Sequence, residues 1–297
     1  MGGRPVVVLA YATAALALSA QWIAAKVALR SAPPLELSTM RFAVASVIFV
    51  LLAIATRTPL PLHRWRPVTA AAAFGFLGFN GLAFLGLQLT PASDSALIIP
   101  TTIPVATALL ATFIGEPMTR RKLLGFAVAT AGAALVVVAG QQAGSEASAS
   151  RLVGNLLQLA SAVCWGACLT ISVRVIRTEG VLGFVTMASL IGTAMLFPLG
   201  FLEHGYRDLP AWAPEAWRAL AVLGLISTVV AFLIFFWAVR RFGAGLAAMI
   251  SYLAPVAALI LAFAVLGERA LPLQLVGAAV ILLGVRLAAG GTRGKRA

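Results

Sequence analysis

The chain alternates long apolar runs with short polar ones. An α-helix needs roughly 20 residues to cross a hydrocarbon core. By that measure the pattern predicts ten spans, near 5–29, 35–56, 67–89, 93–114, 120–140, 152–176, 181–202, 215–238, 243–265 and 270–289. In most of them apolar residues run right round the helix, which fits burial in lipid and bundle better than an amphipathic surface face. Connections are short except for Gln141 to Ser150, rich in Gly, Ser and Ala. The predicted fold is therefore an all-α integral membrane protein.

The runs also repeat. Pro104-Val105-Ala106 lies on Pro255-Val256-Ala257 at a shift of 151, and Gly115-Glu116 on Gly267-Glu268, Gly125 on Gly277 and Gly132 on Gly284 at 152. One inserted residue separates the copies. The predicted organisation is a first five-helix repeat over 1–140, a linker over 141–150, and a second five-helix repeat over 151–297 with a short basic tail. Five spans per copy is an odd number, so the second copy enters the membrane from the opposite side. Inverted repeats of this kind carry a pseudo-two-fold axis in the membrane plane and a central cavity between the halves.

Composition removes the soluble alternatives. Of 297 residues 61% are hydrophobic and only 10% charged, and the mean hydropathy is +1.01, too little polar surface to cover a soluble globule. A net charge of +13 would suit nucleic acid only if the basic residues clustered with aromatics on one soluble face. Instead they occupy short turns. With a cytoplasmic N-terminus, fourteen Lys and Arg fall on the inner side, against Arg30, Arg151, Arg207, Arg218 and Arg269 outside, and the positive-inside rule then puts both termini in the cytoplasm. The first run follows a single arginine and shows no cleavage site, so it reads as a retained span. Trp65, Trp212 and Trp217 sit beside loops, as interfacial anchors do.

Candidate chemistry points to binding rather than catalysis. His63 and His204 fall in loops on opposite sides, and Cys164 and Cys168 lack nearby histidines, so neither an active site nor a metal site is predicted. None of the nine acids lies at the centre of a span, which removes the usual means of exchanging a proton for a substrate. Glu116 and Glu268 fall at opposite faces, roughly 30 Å apart, and read as helix caps or partners of Arg120, Arg121 or Arg269.

Pro104 lies roughly 15–17 Å into its span and Pro255 roughly 18 Å, at 1.5 Å per residue. A proline breaks the helical bond to the residue four back, which frees the carbonyls of Pro100 and Ser251. These helix breaks either border a site, with Pro104 and Pro255 as gating points, or only shape packing. Trp22 and Trp165 hold equivalent positions in the first spans of the two halves, where an indole N–H needs an internal partner. Gln21, Asn80, Phe84, Trp237, Ser251 and Tyr252 complete the candidate substrate-binding set. Ser227 and Thr228 add polar groups to the eighth span. Lys26 and Arg41 are the deepest charges and read either as an outer gate or anion-attracting vestibule or as snorkelling to the interface; Lys26, which shares a helix with Gln21 and Trp22, reads as a cavity residue, and Arg41 as snorkelling. Gly125, Gly132, Gly277 and Gly284 assign spans five and ten to close helix packing.

The segments LAPVAALILAFAVLGERALPLQLVGAAVILLGV and IPVATALLATFIGEPMTRRKLLGFAVATAGAALVV, with ten spans in two halves, resemble the drug/metabolite transporter superfamily, specifically its EamA-type exporters. The resemblance implies two inverted five-helix repeats, with helices 1, 3, 4, 6, 8 and 9 around the cavity and 5 and 10 set apart. It also implies a bacterial inner membrane, export of small metabolites, often amino acids, and similarity to the aromatic amino acid exporters. No cofactor, nucleic acid or enzymatic activity is expected; the partners are a small-molecule substrate and the lipid bilayer, with the protein a monomer or homodimer. The four-helix multidrug members use a glutamate in their first span, where this chain has Gln21 and Lys26 but no acid. Facilitative amino-acid export is the expected function, and multidrug or nucleotide-sugar or sugar-phosphate exchange the alternative.

Overall fold

The computed structural model describes residues 4–90, 92–115, 118–140, 149–253, 257 and 272–289. Among them there are helices and turns but no strand. Helix α1 spans Arg4–Ala28 and α2 spans Pro34–Ala55. Pro34 opens α2 at a first-turn position, where its missing N–H costs no bond and its ring presets φ. A continuous helix over Leu62–Leu89 follows, made of α3 (Trp65–Ala72), a π-helical stretch (Ala73–Phe79) and α4 (Asn80–Leu89). Next come α5 (Ala92–Ala111), α6 (Arg120–Gly140), α7 (Ala149–Glu179) and α8 (Val181–His204).

The π distortion then recurs. Helix α9 (Pro214–Ala221) passes into a second π-helical stretch (Val222–Val230) and on into α10 (Ala231–Phe242). The short α11 (Ala244–Ala248) and a 3-10 turn (Met249–Leu253) follow, and α12 (Pro272–Ala289) ends the described chain. One residue, Gly180, separates α7 from α8, and its φ of 88° is open to glycine at little cost.

Five of these helices are long and apolar enough to cross a membrane: Pro34–Ala55, Leu62–Leu89, Ala149–Glu179, Val181–His204 and Pro214–Phe242. Three shorter apolar stretches, Ala12–Ala28, Ile98–Ile114 and Leu275–Ala288, accompany them. The protein is thus an all-helical membrane protein.

Helices α6 and α12 meet backbone to backbone. A methyl group added at Gly125 would lie 2.6 Å from Ala288 Cβ, and one at Gly132 2.7 Å from the Ile281 nitrogen. Small residues permit that approach and nothing larger does. Elsewhere the core is aromatic: Trp165 on α7 packs against Phe79, Phe232, Phe235 and Phe236 at centroid separations of 4.9, 5.4, 5.8 and 6.0 Å. Gly75, in the first π stretch, faces Cys168 of α7, which is buried and free.

Polar contacts hold the helix ends. Glu203 Oε2, near the end of α8, accepts from the backbone N–H groups of Leu35 and Glu36 at 2.9 and 3.1 Å. A carboxylate there satisfies unpaired first-turn donors of α2 and suits the positive end of its dipole. Glu36 Oε1 in turn accepts from Tyr206 N at 2.8 Å. Glu179, at the end of α7, lies 3.2 Å from His63 Nε2. Of the three tryptophans expected at the interface, Trp65 and Trp217 are exposed, but Trp212 is buried against Trp217, 5.4 Å away.

Candidate functional site

A π turn bonds i to i+5 and leaves a backbone carbonyl in need of another donor. Both π stretches meet that need with a side chain. Asn80 Nδ2 donates to Gly75 O, five residues back, at 2.9 Å. Thr228 Oγ1 donates to Leu223 O, also five back, at 2.7 Å.

Those same two side chains converge on one guanidinium. Arg41 Nε donates to Thr228 Oγ1 at 2.6 Å and Nη1 to Asn80 Oδ1 at 3.1 Å. Nη2 donates to Gln21 Oε1 at 2.8 Å and to the Ser227 carbonyl at 3.3 Å. Arg41 therefore clasps α1, α2 and both π-distorted helices together. Ser227 adds a further tie, its hydroxyl donating to Ala17 O at 2.9 Å. The guanidinium lies 5.3 Å from the Phe42 ring centre and 6.0 Å from that of Phe84, where ring faces offer partial negative charge.

This corrects the expectation that Arg41 snorkels. Its exposure is 0%, because its side of α2 turns toward α1 and the π stretches rather than toward lipid. The expectation for Lys26 also changes. Its Nζ donates to Leu87 O at 3.0 Å and Thr90 O at 3.2 Å, capping the carbonyl end of α4 as a cation there should.

Beside the clasp is a cavity of about 40 Å³ lined by Leu18, Gln21, Phe79, Ile99, Pro100, Ile103, Trp165, Phe232 and Ser251. Counted along the sequence, these come from the first, third, fourth, sixth, eighth and ninth apolar segments, the six that the family resemblance implied. The volume suits a few waters and is far below the roughly 300–1,000 Å³ of a ligand cleft. Pro100 and Ser251, the residues four before Pro104 and Pro255, line it together.

The other candidates divide. Gln21 and Asn80 are in the clasp and Phe84 lies beneath it, while Trp165 walls the cavity. Trp237 is half-buried and packs against Phe242 at 6.1 Å. Tyr252 hydrogen-bonds Thr130 Oγ1 at 2.9 Å and Phe126 O at 3.3 Å, which joins it to α6. Pro104 is buried within α5. Pro255, Glu116, Glu268 and the side chain of Trp22 lie outside the described residues. Among the described residues no group of His, Cys, Asp and Glu could hold a metal ion.

Comparison with known proteins identifies the architecture. The EamA-like transporter family matches residues 5–138 and again 152–290. A relative from Streptantibioticus cattleyicolor, described as a "Probable terminal-alkyne amino-acid exporter", is 34% identical over 88% of this chain and 85% of its own. The uncharacterized transporter YyaM of Bacillus subtilis is 29% identical over 74% of this chain and 71% of its own. One crystal structure superposes with a TM-score of 0.76 at 23% identity, covering 99% of this chain and all of the other, a likeness of fold alone.

Proposed function

This chain belongs to the EamA-like transporter family, and we propose that within it the protein exports small metabolites, above all neutral and aromatic amino acids. A transporter of this family is not an enzyme. The proposed arrangement is ten spans in two inverted five-helix repeats, in a bacterial inner membrane with both termini cytoplasmic. Two matches to one family support the duplication, as do the paired π stretches.

Transport would proceed by alternating access, the halves rocking about the cavity so that it opens to each side in turn. The observation that carries this reading is the cavity itself, walled by Trp165 and touching Pro100 and Ser251 together. Trp165, Phe79 and Phe232 offer an apolar wall for a side chain, and Gln21 and Ser251 offer polar groups. The name of the Streptantibioticus relative points to the same substrate class. Movement is facilitative in this reading, because the fully buried acid among the described residues, Glu36, stands at the start of α2 and is held by Tyr206 N. Lys26 Nζ is turned to the Leu87 and Thr90 carbonyls and Lys26 does not line the cavity, which weighs against a sugar phosphate needing several cations.

Counterflow in liposomes tests the reading. Labelled phenylalanine, leucine and threonine are offered outside against unlabelled amino acid inside, with no imposed proton gradient. Flux is expected in wild type, falling by about tenfold or more in folded Trp165→Ala as the aromatic wall is lost. No flux of any of the three, in protein that is monodisperse and folded, would contradict amino-acid export. Flux that runs only with a proton gradient would contradict the facilitative mechanism.

A further inference from the structure

Hydrogen bonds to neutral groups satisfy the donors of a guanidinium without cancelling its charge. Arg41 is in that condition. Its partners are two side-chain amides, a hydroxyl and a backbone carbonyl. Among the described residues no carboxylate lies within ion-pair distance of it. A fully buried cation with no counter-ion among the described residues is a costly feature to build into a membrane bundle.

We propose that Arg41 is the binding site for the carboxylate of the transported substrate, and that the arriving carboxylate displaces the acceptors Thr228 and Ser227 from the guanidinium. The proposal rests on the reading of the neighbouring cavity as the transport site. Three observations carry it. Gln21 belongs to both places, accepting from Arg41 and lining the cavity, so a ligand in the cavity stands one side chain from the charge. Among the described residues Arg41 is the cation beside the cavity, since Lys26 Nζ is turned to Leu87 O and Thr90 O and Lys26 does not line the cavity; one cation suits a monoanion better than a phosphate dianion.

The partners of Arg41 also divide between the halves. Gln21 and Asn80 fall within the first family match, 5–138, and Ser227 and Thr228 within the second, 152–290. A carboxylate is a stronger acceptor for a guanidinium than a hydroxyl or a carbonyl. Exchanging those two acceptors for a carboxylate releases the hold of Arg41 on the second half while the α6–α12 seam stays closed. Substrate binding and release of the clasp are then one event, and a substrate lacking the carboxylate leaves the clasp shut.

The test is competition in the counterflow assay, with wild-type protein and labelled phenylalanine, leucine and threonine as probes. Unlabelled phenylalanine, phenylalaninamide, phenethylamine and glucose 6-phosphate are the competitors. The amide and the amine, which lack the carboxylate, are expected to compete about tenfold or more weakly than phenylalanine, the scale of one lost charged hydrogen-bond pair. Glucose 6-phosphate is expected not to compete. Arg41→Gln should weaken phenylalanine by a similar factor and abolish its advantage over the amide, and Arg41→Lys should restore part of that advantage.

Equal competition by phenylalanine and its amide in wild type would overturn the assignment, and so would unchanged discrimination in folded Arg41→Gln. Competition by glucose 6-phosphate stronger than by phenylalanine would replace carboxylate with phosphate as the ligand. Wild-type protein that moves none of the three amino acids would remove the transport reading itself, a failure visible before any competitor is added. The wild-type comparison stands whether or not the Arg41 variants fold.

Discussion

The seam between α6 and α12 and the clasp at Arg41 are both fully buried helix contacts, and they are built on opposite principles. In the seam, glycines at 125, 132, 277 and 284 bring backbone against backbone. At the clasp, two helices depart from α geometry, a polar side chain mends each departure, and one guanidinium holds both menders. Close apolar packing has one low-energy arrangement, because any sliding opens voids. Hydrogen bonds to a charged group can be exchanged for others of similar strength. The contrast assigns rigidity to the seam and movement to the clasp.

The largest effect that would break this comparison lies in the seam. Gly132→Val places branched carbons where a first added carbon already meets the Ile281 nitrogen at 2.7 Å and Gly277 O at 2.8 Å. The expected loss is about 2–3 kcal/mol of stability, the scale of core overpacking, read as a lowered thermal midpoint in detergent. The fraction that remains folded should keep wild-type affinity for amino acid. Altered substrate preference in that variant would show that the seam takes part in recognition.

The smallest effect sharpens the clasp. Lys26→Met removes a cation from the carbonyl end of α4 but leaves all four Arg41 contacts in place. The expected cost is about 0.5–1 kcal/mol of stability, with the apparent affinity for phenylalanine in counterflow unchanged. A tenfold loss of affinity would return Lys26 to the binding set.

Much of this was legible in the sequence. The apolar runs mark the helices, the shifted glycines mark the seam, and the two prolines pick out Pro100 and Ser251, which share one cavity. Gln21 and Asn80 stand out as uncharged polar groups in hydrocarbon. What escaped was direction. A lone arginine seven residues into such a helix looks the same whether it snorkels or is buried, because Ser38 and Thr39 before it and Phe42 to Ala45 after it suit either direction. The π stretches escaped for a related reason: AFGFLGF and VLGLISTVV carry no residue that announces a wider turn. The polar side chain that mends it lies at the end of the first stretch or within the second. The signal that could have found the clasp was the set Gln21, Asn80, Ser227 and Thr228, more polar groups at similar depth than a wholly apolar bundle needs.

The most direct test of the account measures whether the clasp side opens while the seam stays closed. Spin labels are placed on Leu62→Cys and Arg240→Cys, exposed positions on the α3 and α10 sides of the bundle, or on Leu124→Cys and Arg286→Cys across the seam. Cys164 and Cys168 are changed to alanine in both, and distances are recorded in nanodiscs with and without phenylalanine. The account predicts that the 62–240 distance distribution shifts by several ångströms on adding phenylalanine, as in rocking-bundle transport, while the 124–286 distribution stays fixed. A 124–286 distance that moves as far as the other, or a 62–240 distance that ignores a transported amino acid, would contradict it.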